Sequence, residues 1–380
     1  MDILVLSPME IIPLNHGASV RIYNLARVFA DLGNKVKIIC IPYVRANGPS
    51  RTIQERNLTI LSTSLSHVIF SIFSFVRDLL RSDVVQVEFH TFSLTMPFMT
   101  PIIAFLRLVR KPVVLDEHGV EIQYLYEIHD ALGTRPSTSG RLRVFLLESL
   151  AARLSSSILV CSFVDAERIR HIYRVPPAKM AVVPNGVSDR FLQRIDGYKY
   201  GQPTVLFLGS FDHPPNVFGA RFLLDRVVPN VFAADKKVTL AFVGRNAPVW
   251  LSQGEFHDRI HIFRDVQDVR PFIAGTDVAV APIFQGSGTR IKILEFMSMG
   301  KPVVSTSKGA EGLDVRDGET IQIRDDPQGF GLAILELLKN RHLAQEIGEN
   351  GRRLVEDRYV WSHLAKDALQ IYERLVAVRP

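Results

Sequence analysis

The stretch from Ala281 to Glu295 reads APIFQGSGTRIKILE and joins an apolar strand, a loop with two glycines and the start of a helix. Glycines let backbone amides approach a ligand closely, and a helix start carries about half a positive charge. At the carboxyl end of a parallel strand, such a loop can hold a phosphate group. The stretch predicts an α/β fold with an anion site, with the helix beginning near Thr289.

The same alternation of strand and helix extends along the chain in both directions. Continuous apolar runs predict parallel strands that are covered on both faces. These runs are residues 3–6, 36–41, 84–87, 112–115, 157–160, 204–208, 238–243, 261–263, 278–281, 302–305 and 320–323, with a helix predicted at 216–228 and an almost wholly helical end from 328. The pattern predicts two Rossmann-like, doubly wound parallel-sheet domains, at residues 1–190 and 200–360, and a closing helix at 361–380.

The net charge indicates which kind of molecule the protein binds, and the cysteines indicate whether it has disulfides. The chain of 380 residues carries a formal net charge of +6, which favours anionic partners, but it has no run of five or more basic residues, so nucleic acid is not expected. Cys40 and Cys161 lie in apolar surroundings and are predicted to be buried free thiols. No Asp-x-Asp cluster suggests a metal site, and we expect that neither a metal nor another cofactor is required.

Two apolar segments leave the relation to membranes open. Neither reaches the roughly 18 apolar residues needed to span a bilayer. Residues 91–106 precede Arg107, Arg110 and Lys111, and residues 68–76 precede Arg77 and Arg81. One interpretation is core helices, and the other is a surface that contacts an anionic membrane. The chain begins with an apolar strand rather than a secretory signal, so we expect a cytoplasmic protein, with peripheral contact at the inner face of the membrane under the second interpretation.

Charged residues at the helix start suggest specific chemistry. Arg290 can make bidentate contacts to a diphosphate. Arg290 and Lys292 lie two positions apart, so on a regular helix they point in different directions. Glu295 lies on a helix that is apolar nearly all round, and a buried carboxylate needs a partner such as Lys292 or a ligand hydroxyl. The alternative is a surface cation at Arg290 and a simple helix ion pair between Lys292 and Glu295.

The segment 288–313, GTRIKILEFMSMGKPVVSTSKGAEGL, resembles the donor-site signature of glycosyltransferase family 4. The resemblance covers essentially the whole chain in order, including the loop at Gly17, the sequence DEH at 116–118 and NGV at 185–187. It implies retaining enzymes of the GT-B fold, in which two Rossmann-like domains face a cleft and the C-terminal helix crosses back to the first domain.

The resemblance also implies roles for individual positions. Gly17 and Ala18 resemble the loop whose amides face the donor diphosphate, and Glu295 resembles the carboxylate that holds the ribose hydroxyls. The other implied donor-site positions are Gly286, Ser287, Gly288, Thr289, Arg290, Lys292, Glu311 and Gly312.

His118 resembles the histidine that contacts the transferred sugar and the reaction centre, so His118, Arg290 and Glu295 are the predicted catalytic residues. A purely structural role is the alternative for His118. Glu88 and His90 end the preceding strand and are candidates for the acceptor side, with ordinary loop polarity as their alternative.

Two departures from the family pattern concern the donor. Ser287 stands where the family usually has a glutamate, eight positions before Glu295, and a serine carries no charge. The segment 210–216, SFDHPPN, lacks the Arg and Lys that the family commonly has after the strand ending at Gly209. We infer from the sequence that Arg290 and Lys292 compensate.

With the resemblance, these observations predict a hexosyltransferase that moves a sugar from a nucleotide-diphosphate donor to a glycan or lipid-linked acceptor. The resemblance alone implies that the transfer occurs with retention. Amides at Gly17 and Gly288, together with Arg290, would stabilise the charge that develops on the leaving diphosphate. The alternatives are a catalytically silent nucleotide-sugar-binding subunit, suggested by Ser287, and a sugar-nucleotide epimerase of similar fold. A nicotinamide dehydrogenase is disfavoured, because the first strand–helix turn lacks the Gly-x-Gly-x-x-Gly pattern.

Overall fold

The computed structural model describes residues 1–14, 16–42, 50–89 and 96–378. The chain forms two compact units, Met1–Pro184 with Trp361–Pro380, and Asn185–Val360. It therefore leaves the first unit after Pro184 and returns to it at Trp361. Each unit is built on its own sheet.

The first unit contains an eight-stranded sheet in the described part of the chain, with strand order β3-β4-β2-β1-β5-β6-β7-β8. All neighbours are parallel except β3 and β4, which are antiparallel. The strands are β1 (Asp2–Ser7), β2 (Lys35–Cys40), β3 (Arg51–Glu55), β4 (Leu58–Ser62), β5 (Val84–Phe89), β6 (Val113–Glu117), β7 (Ser157–Val160) and β8 (Met180–Val182).

The sequence pattern did not predict β3, β4 or β8. Every residue of the edge strand β3 is exposed, and β4 alternates between buried and half-buried residues. Neither strand therefore has the continuous apolar run that marks a central parallel strand. The third, β8, is only three residues long and half-buried throughout.

Helices cover this first sheet. Buried positions on α1 recur at helical spacing, with Ile22, Leu25, Ala26 and Phe29 facing the core. The helices are α1 (Gly17–Asp31), α2 (Leu65–Phe70), α3 (Ile72–Arg81), α4 (Met96–Leu108), α5 (Glu121–Ala131), α6 (Thr138–Leu154) and α7 (Phe163–Tyr173). Cys40 and Cys161 are both buried, as predicted.

The second unit contains a six-stranded parallel sheet in the order β11-β10-β9-β12-β13-β14. Its strands are β9 (Thr204–Leu208), β10 (Thr239–Gly244), β11 (Ile260–Arg264), β12 (Val278–Ala281), β13 (Val303–Ser305) and β14 (Gln322–Ile323). Its helices are α8 (Pro214–Phe222), α9 (Val228–Ala234), α10 (Arg270–Gly275), α11 (Ile291–Ser298), α12 (Ser307–Ala310), α13 (Pro327–Lys339) and α14 (Arg341–Arg358).

The single helix predicted at 216–228 is divided in the structure. A π-helical turn, Leu223–Val227, separates α8 from α9, and a proline lies in the first turn of α9. Pro229 has no amide hydrogen to donate, so the regular α-helical hydrogen-bond ladder cannot continue through it.

The C-terminal helix α15 (Trp361–Ala377) belongs to the first unit, which confirms the predicted crossing back. Its buried residues include Leu364, Ala365, Ala368 and Tyr372, one face of a helix. The ring of Tyr372 lies 5.3 Å from the ring of Phe29 on α1. Among the described residues, no helix is both long enough and apolar enough to span a bilayer.

Candidate functional site

The strand order reverses at one point in each sheet. In the second unit, β9 lies between β10 and β12, so the loops that follow β9 and β12 are neighbours at the carboxyl edge. Ligands of open α/β sheets bind at this kind of switch point. A Cβ atom at Gly219, on α8, would lie 2.3 Å from the carbonyl oxygen of Pro282, so only glycine permits α8 to pack this closely on the loop after β12.

The loop after β12 is held by Arg290. Its guanidinium donates hydrogen bonds to the carbonyl oxygens of Gly286 and Ser287, each at 2.8 Å, and to that of Gly288. The backbone of Gly286 has a φ of 110°, which favours glycine. The predicted helix start near Thr289 is wrong by two residues, because Arg290 has an extended backbone and α11 begins at Ile291.

Two buried oxygen atoms in this loop have no hydrogen-bond partner among the described residues. They are Gln285 Oε1 and Thr289 Oγ1. The Thr289 carbonyl, by contrast, accepts a hydrogen bond of 3.2 Å from Asn185 Nδ2. Leaving a buried polar atom unpaired costs about 1–3 kcal/mol, so such atoms call for an explanation. Ligand groups that bring hydrogen-bond donors to this loop would satisfy these oxygens.

Lys292 connects the two helices of the switch point, α11 after β12 and α8 after β9. Its Nζ donates a hydrogen bond of 2.6 Å to Asn216 Oδ1 on α8, and it lies 4.9 Å from the ring centroid of Phe207 on β9. Burial lowers the pKa of Lys292 to about 7, and the positive charge of Arg290 adds to the decrease. The segment 210–216 lacks a basic side chain of its own, and the structure places Lys292 beside its last residue.

Glu295 is half-buried, and its carboxylate has no hydrogen-bond partner among the residues that the structure describes. Burial raises its pKa to about 7, against the opposing effect of the positive charges of Arg190 and Lys292. The alternative of a simple Lys292–Glu295 ion pair is not what the structure shows, because Lys292 Nζ is bonded to Asn216. The Glu295 carboxylate therefore remains available to a ligand.

The loop after β13 packs against the loop after β12. Thr306 Oγ1 donates a hydrogen bond to the carbonyl oxygen of Ile283 and accepts one of 3.0 Å from the amide of Gly309. The carboxylate of Glu311 lies 3.0 Å from Lys308 Nζ, and Gly312 has a φ of 81°. These contacts bring the 306–312 segment to the same edge of the sheet as the loop after β12, residues 282–290, which is called the glycine loop below. Ser287, within that loop, is half-buried.

In the first unit, Gly17 is the exposed first residue of α1, and Ala18 follows it half-buried. The side chain of His16 caps the helix by accepting a hydrogen bond of 3.1 Å from the amide of Ser19. No hydrogen bond joins the amides of Gly17 and Ala18 to any described residue. They are therefore available to an anion at a helix N-terminus.

His118 follows β6, and its Nε2 atom lies 2.9 Å from Glu88 Oε2 on the neighbouring strand β5. Burial lowers the pKa of His118 to about 4 and raises that of Glu88 well above its usual range. Glu88 was predicted to line the acceptor side, but its side chain is fully buried, so it contacts His118 rather than solvent. His90, the other acceptor-side candidate, lies outside the described residues.

A buried ion pair beside His118 was not foreseen from the sequence. Arg21 Nη2 lies 2.8 Å from Asp116 Oδ1, and neither side chain is exposed. The same guanidinium donates to the carbonyl oxygens of Val183, at 2.8 Å, and Pro184, at 3.1 Å. The sequence signal for this pair is Arg21, a charged residue among the buried positions of α1.

Glu88, Asp116 and His118 offer ligand atoms that all lie within 4.8 Å of one another, as a metal site would require. In this structure the Asp116 carboxylate instead accepts hydrogen bonds from Arg21, whose charge compensates it. The donor set therefore fits an ion pair better than a divalent cation, and the expectation that no metal is required stays a prediction.

Comparisons with known proteins agree with these features. Residues 15–191 match Glycosyltransferase Family 4, and residues 202–340 match Glycosyl transferases group 1. A segment of 200 residues is 32% identical to the phosphatidyl-myo-inositol mannosyltransferase of Mycobacterium leprae, covering 50% of this chain and 52% of that protein. The chain thus aligns with about half the length of the curated relatives that it matches.

Two solved structures resemble the whole chain. The sucrose-phosphate synthase of Thermosynechococcus elongatus has a TM-score of 0.75 at 16% identity, with coverage of 99% of this chain and 100% of that one. HepE of Anabaena, in complex with UDP, has a TM-score of 0.72 at 15% identity, with coverage of 98% and 100%. At these identities the likeness establishes the fold alone, and it confirms the predicted GT-B architecture of two parallel-sheet α/β domains.

The two family matches lie in chain order and correspond to the two structural units, the first ending at residue 191 and the second beginning at 202. The resemblance seen in the sequence is therefore confirmed, and the chain belongs to the family 4, group 1 glycosyltransferases.

Proposed function

We propose that this protein transfers a sugar from a nucleoside-diphosphate donor to an acceptor hydroxyl, with the second unit holding the donor. The observation that carries the proposal is the bond between Lys292 and Asn216 at the switch point of the second sheet. This bond holds a cation at the switch point, and Arg290 supplies a second cation in the loop after β12. Two cations and unpaired loop oxygens suit a diphosphate with an attached ribose.

Each group of residues has a separate proposed role. The glycine loop, Lys292 and Arg290 bind the diphosphate, and Glu295 accepts hydrogen bonds from the ribose hydroxyls. As the bond between the anomeric carbon and the diphosphate oxygen breaks, negative charge develops on the leaving group. Cations placed in advance stabilise that charge more in the transition state than in the ground state. For the first unit, we keep the roles that the family resemblance implies: the amides of Gly17 and Ala18 contact an anionic group, and the ring of His118 contacts a sugar.

Retention of configuration is part of the proposal and is supported by the family resemblance. The acceptor oxygen attacks the face of the sugar that the diphosphate leaves. The new bond joins the anomeric carbon to the acceptor oxygen, and the acceptor proton passes to the departing phosphate oxygen. No metal is invoked, because Lys292 and Arg290 provide the positive charge.

Donor binding is testable with UDP-, GDP- and ADP-sugars in a thermal-shift screen. We expect one of them to raise the melting temperature of the protein, and we expect a Lys292→Met variant to show a much smaller shift. UDP is the first candidate, because HepE of Anabaena was solved with it. No shift with any nucleotide sugar would contradict the proposed donor site.

Turnover assays distinguish a transferase from the two alternatives, a catalytically silent subunit and a sugar-nucleotide epimerase. With the donor identified, product analysis in the presence of glycan and lipid-linked acceptors should show a new glycoside. Binding without turnover against the whole acceptor panel would favour the silent subunit. An altered sugar nucleotide formed without any acceptor would favour the epimerase.

The acceptor side of the proposal concerns a membrane surface. On α2 and α3, Phe70 and Phe73 are 88% and 89% exposed, and Leu108 at the end of α4 is 81% exposed. Exposed arginines lie on the same elements, at Arg77 on α3 and Arg107 on α4. We propose that these exposed apolar and basic side chains contact anionic lipid, which would bring a lipid-linked acceptor to the first unit.

Liposome flotation tests this surface. The protein should float with vesicles that contain phosphatidylglycerol, less so at high salt, and the double variant Phe70→Ser/Phe73→Ser should remain at the bottom. Leu332→Ser is the matched control, since Leu332 is also exposed but lies on α13 of the second unit. Equal flotation of both variants would contradict a role for α2 and α3.

A further inference from the structure

A chain of polar side chains runs through the core of the first unit and ends at His118. The hydroxyl of Tyr372, on α15, donates a hydrogen bond to Gln86 Oε1, and Gln86 Nε2 donates to Glu88 Oε1. The other oxygen of the same carboxyl group, Glu88 Oε2, lies 2.9 Å from His118 Nε2. Each member of the chain is thus in contact with the next.

Of these hydrogen-bonded side chains, only His118 can reach a ligand. Tyr372 and Glu88 are 0% exposed and Gln86 is 1% exposed, whereas the side chain of His118 keeps 13% of its surface. Polar groups lose hydration when they are buried, and this costs free energy unless their hydrogen bonds are satisfied. The three buried members satisfy one another, and the result is a support of fixed geometry behind His118.

The support also has a defined polarity. The Tyr372 hydroxyl engages the carbonyl oxygen of the Gln86 side chain, which turns the Gln86 amide nitrogen toward Glu88. That nitrogen also lies 3.4 Å from Asp116 Oδ2, whose charge Arg21 compensates. Glu88 therefore keeps one oxygen for Gln86 and the other for His118.

We propose that Glu88 is a positioning residue that holds the His118 ring through Nε2, supported by Gln86 and Tyr372, so that Nδ1 is the ring nitrogen presented to substrate. Within the described part of the chain, Nδ1 of His118 has no hydrogen-bond partner. A histidine bound through one ring nitrogen is held in one tautomer and one orientation. The inference rests on the proposed contact between His118 and the transferred sugar.

The state of the ring can be measured without any turnover. In the full chain labelled with ¹⁵N-histidine, long-range ¹H–¹⁵N spectra should show His118 as a single neutral tautomer. The chain has 11 histidines, and a His118→Gln variant identifies the signal. In Glu88→Leu the two ring-nitrogen shifts should move toward each other, as in a mixture of tautomers, whereas Glu88→Gln, whose amide can still bond Nε2, should keep one tautomer.

Activity then tests whether Glu88 acts through His118. Glu88→Leu should lower kcat by about 10- to 100-fold, with a smaller effect on KM, as loss of a supporting hydrogen bond does elsewhere. In a His118→Ala background the same substitution should have no further effect. An equal loss in both backgrounds, or an unchanged His118 tautomer in Glu88→Leu, would overturn the proposal.

A milder variant guards against loss of the fold. Tyr372→Phe removes only the hydroxyl that supports Gln86, and it should shift the His118 ring signals while the protein remains folded. Tyr23→Phe, which removes a hydroxyl that bonds exposed Glu55, is the matched control and should leave them unchanged. Unshifted signals in Tyr372→Phe would contradict the supporting role. Because the ring signals need no turnover, an inactive protein would refute the proposed function and leave this inference testable.

Discussion

Lys292 Nζ lies 2.6 Å from Asn216 Oδ1, so the helix that follows β12 is bonded to the helix that follows β9 where the strand order of the second sheet reverses. The lysine thus stands beside the segment 210–216, which carries no lysine or arginine. We expect this lysine, on the neighbouring helix, to supply the basic side chain that the segment lacks.

Replacing Lys292 with methionine should weaken binding of the nucleotide sugar by roughly 10- to 150-fold, because a charge-assisted hydrogen bond contributes about 1.5–3 kcal/mol. Isothermal titration with the nucleotide sugar that binds best is the measurement. Lys339→Met, at an exposed position on α13, is the matched control and should bind normally. Equal affinity of the Lys292→Met variant and the native protein would contradict a role for Lys292.

The affinity should also depend on pH. The pKa of Lys292 lies near 7 without ligand, and a bound diphosphate favours its charged form. Affinity should therefore fall as the pH rises from 6 to 9, since the free lysine progressively loses the proton that binding requires. Glu295, with a pKa also near 7, acts in the opposite direction, so the difference between the native protein and Lys292→Met isolates the lysine. A constant difference across this range would argue against a lysine that titrates.

Arg290 donates hydrogen bonds to three consecutive carbonyl oxygens of the glycine loop. Arg290→Lys should therefore lose most of the activity, because one ammonium group cannot reproduce the planar fork of a guanidinium. Steady-state kinetics measure the effect on activity, and the melting temperature measures the effect on stability. Arg226→Lys, at an exposed position, should be unaffected in both. Full activity of Arg290→Lys would contradict the loop-holding role.

Glu117 is a buried acid whose two carboxyl oxygens have no hydrogen-bond partner among the described residues. Burial raises its pKa well above the ordinary 4.5, and the carboxyls of Glu148 and Glu121 add to the rise. The folded state then holds a proton that the unfolded state releases above about pH 4.5, so Glu117 lowers stability increasingly as the pH rises through this window.

Glu117→Met should therefore stabilise the protein by about 1–3 kcal/mol at pH 8 and by less at pH 4. Urea unfolding at the two pH values checks this expectation. Glu148→Met provides the contrast, since Glu148 accepts hydrogen bonds from two backbone amides and from Tyr173, and its loss should destabilise the protein. A gain for Glu117→Met that is equal at both pH values would rule out the titration.

Arg21→Met should destabilise the first unit by about 3–5 kcal/mol, because it leaves Asp116 as an uncompensated buried charge. The double variant Arg21→Met/Asp116→Asn should recover part of this loss, since the buried charge is removed with its partner. Denaturant unfolding gives both values. A double variant less stable than Arg21→Met would contradict the charge argument.

The sequence predicted the central strands well and the edges poorly. Strands β7, β9 and β12 were predicted to the residue, because each is a short apolar run with both faces buried. The exposed edge strand β3 and its neighbour β4 have no such run, since solvent reaches one or both of their faces. The start of α11 was predicted two residues early, because propensity does not show that Arg290 is extended.

For the site, the sequence identified the residues around the glycine loop without their partners. It named Arg290, Lys292 and Glu295, but an ion pair between neighbours on one helix was as reasonable as any contact. Asn216, 76 residues away in the chain, could not be chosen from a pattern. The pairing of Glu88 with His118 was missed for the same reason.

What the sequence by itself determined is the architecture: alternating apolar strands and amphipathic helices, whose hydrophobic burial leaves few arrangements other than two parallel sheets covered by helices. The tertiary structure alone decided which polar groups meet, namely Lys292 with Asn216, Arg21 with Asp116 and Glu88 with His118. Whether a residue is buried depends on its own polarity and on the periodicity of its neighbours in sequence, so a short stretch of sequence is enough to predict it. A hydrogen bond depends on atoms that chain topology brings within about 3 Å, and no local pattern records that distance.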